Sequence, residues 1–501
     1  MKSAVSSQQS ADRGVATEVR ALPNYIGGAW VEAAGVEAID DIDPATGEVA
    51  ARVPLSGAAD VDAAVRAARE AQPAWRAVPP QKRARAVMAL REALWAHRED
   101  LAQLVTADMG KTIDDARGEV LRGIESTEAA CAIPHLLKGE NLEGVATGVD
   151  VELVRQPVGV VAGITPFNFP CMIPLWFLPF ALATGNTFLL KPSERDPRPS
   201  VRIFELIDEI DQIPAGVANL VHGARDAVNG LLDHPEVDAI SFVGQASTAR
   251  YVAERAAATG KRAQALGGAK NSMVVMPDAD LGQAVPTMLG SAFGNAGQRC
   301  LAGSVAVLVG DGERQDAVRD TLVDEAAKLK LGPGADPATD VSPLVAPEAR
   351  EKIVDAVARA EGEGAEVLLD GRGADSGPAE TLLGPTIVET GDIESELPRE
   401  ELFGPLLTLV RARDIDAALE FVNGSRYGNA SAIFTTSGAA ARAYRYGVEA
   451  GMVGVNVGVP APVAWFPFAG WKDSMEGDLH ANGRDAVEFY TRTKVLTSRW
   501  R

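Results

Sequence analysis

Cysteine is scarce in this chain, three among 501 residues, and one of the three sits in an unusual setting. Cys300 lies in GNAGQRCLAGS, residues 294–304, with glycines at 294, 297 and 303, amides at Asn295 and Gln298, and Arg299 beside it. A cysteine kept for packing normally has larger apolar neighbours. Small residues let another molecule approach, and an adjacent cation favours the nucleophilic thiolate. A second stretch, ITPFNFPCM at 164–172, fixes Asn168 among prolines and aromatic rings. A rigid amide N–H suits an oxyanion; a turn asparagine is the plainer alternative. LLKPSE, 189–194, ends a strand-like run, where parallel sheets present ligands. There Lys191 can bond ribose hydroxyls, and Glu194 can accept from a 2′-hydroxyl and repel a 2′-phosphate. An ordinary loop with a capping acid reads equally well. In FVGQAST, 242–248, a strand, a glycine and a helix start bring the N–H groups around Gly244 and Gln245 to where a pyrophosphate could sit. No GxGxxG fingerprint occurs. The five histidines are scattered and no CxxC is present, so no metal site is expected.

These residues need a scaffold, and the periodicity supplies one. Residues 60–132 place apolar side chains at three- and four-residue intervals, as amphipathic helices do. Residues 148–163 alternate and then run apolar, as strands do. From NTFLLKPS to STARYVAERAAAT the pattern repeats strand then helix, which predicts a parallel sheet covered on both faces. A second α/β unit follows from about 270, with strands in SMVVMPD, SVAVLVG, AEVLLDG, PTIVE and LLTLVRA. EFYTRTKVLTSRW, near the end, is strand-like and stands apart. Gln156 to Leu190 carries no charge, yet five prolines break it, which argues for a buried strand, turn, helix and strand and against a membrane span. The net charge of −21 speaks against nucleic-acid binding, and three cysteines point to a reducing compartment. The polar N-terminus has no apolar core for a signal peptide.

Taken in order, PFNFP, KPSE, FVG, LGGAKN, GQRC and EELFGP (400–405) resemble the aldehyde dehydrogenase superfamily over nearly the whole chain. The polar, small-residue stretch over 1–21 reads as a mobile tail, and after it the resemblance implies an NAD-binding, Rossmann-like domain over 22–142 and 161–267. It implies an α/β catalytic domain with a parallel sheet over 268–470, and a small β oligomerisation region over 143–160 and 484–501. It also implies roles. Cys300 is the nucleophile, and Asn168 with the Cys300 N–H is the oxyanion donor. Lys191 and Glu194 hold the adenine ribose, Gly244 and Gln245 meet the pyrophosphate, Glu401 holds the nicotinamide ribose, and Phe403 lies beside the ring. A homo-oligomer, dimer or tetramer, in the cytoplasm is expected.

One departure bears on how the reaction ends. Hydrolytic members read ELGGK, and their glutamate activates the water that cleaves the thioester. Here the stretch is KRAQALGGAKNS, with Ala265 before LGG and Ala269 between GG and Lys270. A methyl group is no general base, whereas a thiol is already partly ionised near neutral pH. Coenzyme A is therefore the expected acyl acceptor. QALGGAKN with PFNFPCM and GQRC resembles the coenzyme A-acylating methylmalonate-semialdehyde dehydrogenase branch, in which two arginines hold the substrate carboxylate. Their matches are Arg122 and Arg299. For Arg122 a helix-face ion pair is the alternative, and for Arg299 a surface position or thiolate stabilisation. The expected activity is NAD-dependent oxidation of malonate or methylmalonate semialdehyde to acetyl- or propionyl-coenzyme A and CO2. The rivals are a non-acylating dehydrogenase of another small anionic aldehyde and an inactive scaffold on the same fold.

Overall fold

The computed structural model describes residue 19, residues 21–34 and residues 37–500, so the expected tail lies almost wholly outside the described residues. Two large sheets carry the rest. The first is eight-stranded and runs Ala29–Val31, Asn24–Ile26, Ala218–Leu220, Thr187–Lys191, Val160–Ile164, Ala239–Val243, Arg262–Leu266, Met475–Glu476. Its middle five strands are parallel; four of them are buried on every residue, and the three longer ones of these, at 160–164, 187–191 and 239–243, read as near-continuous apolar runs. The chain builds outward from Val160–Ile164 on one side, then crosses back to lay Ala239–Val243 on the other. That reversal leaves a crevice beyond the carboxyl ends of these two strands, the place where such sheets hold ligands.

The second sheet has seven strands, Glu366–Leu369, Thr386–Glu389, Leu406–Ala412, Gly303–Val309, Asn271–Val275, Ala430–Phe434 and Met452–Val455. All neighbours are parallel except the first pair. Leu266 ends a strand of the first sheet and Asn271 begins one of the second, so the LGGAKN segment is the joint between them.

The charge-free segment folds as the prolines predict. Strand Val160–Ile164, a turn, helix Met172–Thr184 and strand Thr187–Lys191 follow one another. The helix is buried all round because helices Pro80–Ala96 and Ile113–Cys131 cover it, and Leu90, Val120 and Ile124 share a core with Leu175, Phe177 and Phe180. Full burial of such side chains stabilises by about 1.5–3 kcal/mol each. Gly123 permits the close approach, since a Cβ there would lie 2.8 Å from Leu175 Cδ1. Among the described residues no helix is long and apolar enough to cross a membrane.

A separate three-stranded antiparallel sheet joins Glu140–Ala146, Val149–Pro157 and Thr491–Arg499. The terminal segment differs from its sequence expectation in one respect: Gly483–Phe489 is a helix, and the strand begins only at Thr491. Val487 and Phe489 are drawn into the main core, which a strand at that edge could not reach.

Candidate active site

The crevice of the first sheet opens into a cavity of about 720 Å³. Lys191, the last residue of its strand, donates through Nζ to Glu194 Oε2 at 3.0 Å and to the Gly223 carbonyl at 2.8 Å. Burial pushes the Glu194 carboxyl up, but the charge and hydrogen bond of Lys191 outweigh it and hold the group below the usual carboxylate range. Gly244 and Gln245 lead from strand Ala239–Val243 into helix Ala246–Ala258, and no side chain caps that helix. Its free N–H groups and positive dipole end therefore face the cavity, where an anion is favoured. Glu401 and Phe403 wall the opposite end. Glu401 Oε1 accepts from the Ala269 N–H at 2.9 Å, and its other oxygen occupies the space that a Cβ on Gly268 would need. Burial raises this carboxyl to about 7 against the pull of the Ala269 N–H, Lys270 and Lys352. Phe403 sits at a φ of 59°, an uncommon conformation for a bulky residue, and meets Phe167 edge-on at 5.9 Å. One cavity thus brings together two carboxylates, Glu194 and Glu401, and an uncapped helix N-terminus, a set that suits a dinucleotide with its two riboses and anionic pyrophosphate. Among the described residues no cluster of ligands could hold a metal ion.

Cys300 lines this cavity and also a second one of about 330 Å³, so the thiol stands where the two meet. The chain reaches it through three successive residues with positive φ, Asn295 (53°), Ala296 (50°) and Gly297 (72°). Strain of this kind persists only where surroundings impose it. Here Asp115 Oδ2 accepts from the Asn295 N–H at 2.9 Å, and the side chains of Asn271 and Asn429 each donate to the Cys300 carbonyl at 2.9 Å. Asn168 is buried beside them, its Nδ2 donating to the Gln298 carbonyl at 3.1 Å. The sequence points to a thiolate favoured by Arg299. Instead, burial and then the charge of Glu401 push the Cys300 thiol up to about 12, against the backbone N–H groups of Cys300 and Leu301 and the weaker pull of Arg299. Burial is the larger effect, and Arg299, paired with Asp115 Oδ1 at 2.5 Å, opposes it only weakly.

Both arginines line the second cavity. Arg299 is mostly covered, held by Asp115 and the Gly290 carbonyl. Arg122 is 43% exposed and pairs loosely with Glu125 at 3.5 Å, so the helix-face pair and a place at the cavity wall coexist. Ala265 is elsewhere. It is fully buried with Ile164, Leu189 and Phe242 in the core on one face of the first sheet and lines neither cavity. Counting four back from Lys270, as ELGGK does from its lysine, reaches Leu266, which packs with Leu301 and Met475. On either count the position is apolar.

Sequence reasoning passed over Lys111, Asp115 and Glu119. Asp115 and Glu119 are four apart on helix Ile113–Cys131, the spacing that puts two acids on one face, and Glu119 sits beside the buried Ala116 and Val120. An acid on an apolar stripe was the available signal.

Residues 30–496 match the aldehyde dehydrogenase family. The chain is 50% identical over 484 residues to malonate-semialdehyde dehydrogenase 1 of Geobacillus kaustophilus (strain HTA426), covering 96% of this chain and 98% of that one. The crystal structure of methylmalonate-semialdehyde dehydrogenase from Oceanimonas doudoroffii superposes with a TM-score of 0.94 at 43% identity, covering 96% of this chain and 99% of that one. A protein assigned the same activity in Sinorhizobium meliloti 1021, solved with NAD, gives 0.94 at 44% identity, covering 97% and 99%. Likeness of this extent runs through both sheets and both cavities, and the chain belongs to the aldehyde dehydrogenase family.

Proposed function

We propose that this protein oxidises malonate or methylmalonate semialdehyde with NAD and transfers the acyl group to coenzyme A, yielding acetyl- or propionyl-coenzyme A and CO2. The observation that carries the reading is the position of Cys300, at the junction of the cavity lined by Lys191, Glu194, Gly244 and Glu401 and a second cavity lined by two arginines. The names of the relatives, malonate- and methylmalonate-semialdehyde dehydrogenase, support the same substrates.

Lys191 and Glu194 hold the adenine ribose, the N–H groups at Gly244 and Gln245 the pyrophosphate, and Glu401 the second ribose beside Phe403. When bound, the nicotinamide supplies the hydride acceptor. Arg122 and Arg299 hold the substrate carboxylate and turn the aldehyde carbon toward Cys300. Cys300 gives its proton to solvent, and the thiolate sulfur attacks the aldehyde carbon, forming a C–S bond and placing negative charge on the former carbonyl oxygen. Asn168 Nδ2 and the Cys300 N–H stabilise that oxygen, and after oxidation Cys300 carries the acyl group as a thioester. The bond to the β-carboxylate then breaks and releases CO2, leaving its electron pair on the α-carbon as an enolate that the same donors hold until a proton arrives. The coenzyme A thiolate attacks the thioester carbonyl and Cys300 leaves. No carboxylate stands at Ala265 or Leu266 to activate water, which is why a thiol completes the turnover. We further infer a homo-oligomer, dimer or tetramer, in the cytoplasm, with the domains divided as the sequence implies.

Rapid mixing with NAD and semialdehyde tests the reading. Without coenzyme A, a burst of NADH near one per site should precede a slow phase. Coenzyme A should accelerate the slow phase and leave the burst amplitude unchanged. If free acid accumulates as fast without coenzyme A, water is being activated within the site and the acylating assignment is lost. Absence of any burst would favour the inactive scaffold.

A further inference from the structure

Beneath the Asn168 loop lies an ion pair with no exposure at all, between Lys111 and Glu119. Lys111 follows Gly110, whose φ of 90° ends helix Arg98–Met109, and Glu119 lies in the second turn of helix Ile113–Cys131. Burying two charges away from water is costly unless every donor and acceptor is used. Here most are used on one target. Lys111 Nζ donates to Glu119 Oε2 at 2.6 Å and to the Asn168 carbonyl at 2.7 Å, and stands 4.2 Å from the centre of the Phe169 ring. Glu119 Oε1 accepts from the N–H groups of Cys171 at 2.8 Å and Met172 at 3.1 Å. These belong to the start of helix Met172–Thr184, which has no side-chain cap of its own. The two side chains thus hold the PFNFPCM segment at Asn168 itself and three and four residues later.

The same helix holds the other half of the site. One turn before Glu119, Asp115 binds the Asn295 N–H and Arg299 on the loop that carries Cys300. Asp115 and Glu119 therefore fix two loops from different domains against one rigid rod.

We propose that Lys111 and Glu119 are positioning residues for the reaction, setting the Asn168 amide relative to Cys300. The proposal rests on the reading of Asn168 as an oxyanion donor. A donor contributes only if it meets the oxygen where charge develops, and a displacement of about 1 Å in such a group can cost around a hundredfold in rate. A purely structural ion pair would lower thermal stability without singling out the step that Asn168 serves.

The test is a double-mutant cycle on the full-length enzyme, read in the rate of the NADH burst, with Glu119→Gln and Asn168→Ala as the two changes. Glu119→Gln should slow the burst about tenfold to a hundredfold. The KM for semialdehyde and the rate of Cys300 alkylation by iodoacetamide should stay within about twofold, because neither depends on the amide. In the Asn168→Ala background, Glu119→Gln should slow the burst by less than about twofold, since nothing remains to be positioned. Equal slowing in both backgrounds, or an unchanged burst in Glu119→Gln alone, would overturn the proposal. A full-speed burst from Asn168→Ala would overturn the oxyanion reading first, and this inference with it. Should the lone Lys111 charge prevent Glu119→Gln from folding, Lys111→Met/Glu119→Gln leaves no unpaired charge and enters the cycle with the same expectations.

Discussion

At the scale of single residues, the opposed charges around Cys300 make two measurable statements. Glu401 is held at about 7 by burial, against an ordinary value of 4.5. Its folded value lies above the unfolded one, so its contribution to stability is complete below about 4.5 and is lost as pH rises through about 7. Glu401→Gln should flatten that part of the stability–pH curve, measured by urea unfolding at stepped pH. The same charge raises Cys300, so removing it should lower the thiol toward its usual range. Iodoacetamide should then alkylate Cys300 faster in Glu401→Gln than in the wild type at pH 8, and a slower reaction would mean that Glu401 does not face the sulfur. Glu194 invites a simpler change. It is held ionised by Lys191, so Glu194→Gln should narrow the preference for NAD over NADP by removing repulsion of a 2′-phosphate. An unchanged ratio of kcat/KM values for the two cofactors would place it away from the ribose. The candidate residues Cys300, Asn168, Lys191, Glu194 and Glu401 are legible in the sequence because each lies in a short motif. The upward push on the Cys300 thiol is not, because it comes first from burial in the assembled fold and then from Glu401, which lies far away in sequence.

Secondary-structure elements decide what those residues can do, and helix Ile113–Cys131 decides most. Asp115, Glu119 and Arg122 stand at four- and three-residue intervals along it, one face holding the loop that carries Cys300, holding the loop that carries Asn168 and placing a loosely paired cation at the wall of the second cavity. Arg299 is committed to Asp115, whereas Arg122 is half exposed and has only a long contact to Glu125. Arg122 is therefore the arginine with charge to spare. Arg122→Leu should raise the KM for a carboxylated semialdehyde by about ten- to a hundredfold, the worth of a charge-assisted pair of about 1.5–3 kcal/mol, and leave that for propanal nearly unchanged. Equal effects on both would reduce Arg122 to a helix-surface role. The helical period over 60–132 announced this element, but period alone could not say that its acidic face turns inward. Ala265 shows the converse limit. The motif placed it at the missing base, but strand alternation turns its methyl into the core, so Ala265→Glu would bury a charge among Ile164, Leu189 and Phe242 and is expected to destabilise the fold rather than assist water.

At the scale of the whole molecule, the three-stranded sheet is the part that a single chain leaves unfinished. A small antiparallel sheet needs a covered apolar face to be stable. Yet on this one Leu142 is 64% exposed, Val495 62% and Trp500 65%. Six successive residues of the last strand, Arg492 to Thr497, are exposed. Met452–Val455, at the margin of the second sheet, likewise presents an open edge, with Val455 and Val457 exposed beside it. Edges and apolar faces of this kind are usually protected by charge, proline or cover. Charge is present at Arg492 and Lys494, but it precedes the adjacent Val495 and Leu496 and does not shield them. A second copy of the chain is the cover that symmetry offers most cheaply. The sequence marked these strands as standing apart, through their separation from the repeating strand–helix pattern, but exposure on both faces became visible only once their pairing was known. Leu142→Asp/Val495→Asp should therefore shift the mass measured by light scattering toward the monomer, because a charge buried without a partner opposes association. The variant should also make thermal stability independent of protein concentration, where the wild type gains stability as concentration rises. Neither residue lines the cavities at Cys300, so Cys300 alkylation in any monomer that keeps its fold should proceed as in the wild type. An unchanged mass would mean that these side chains are tolerated in water and that copies meet, if at all, through another face.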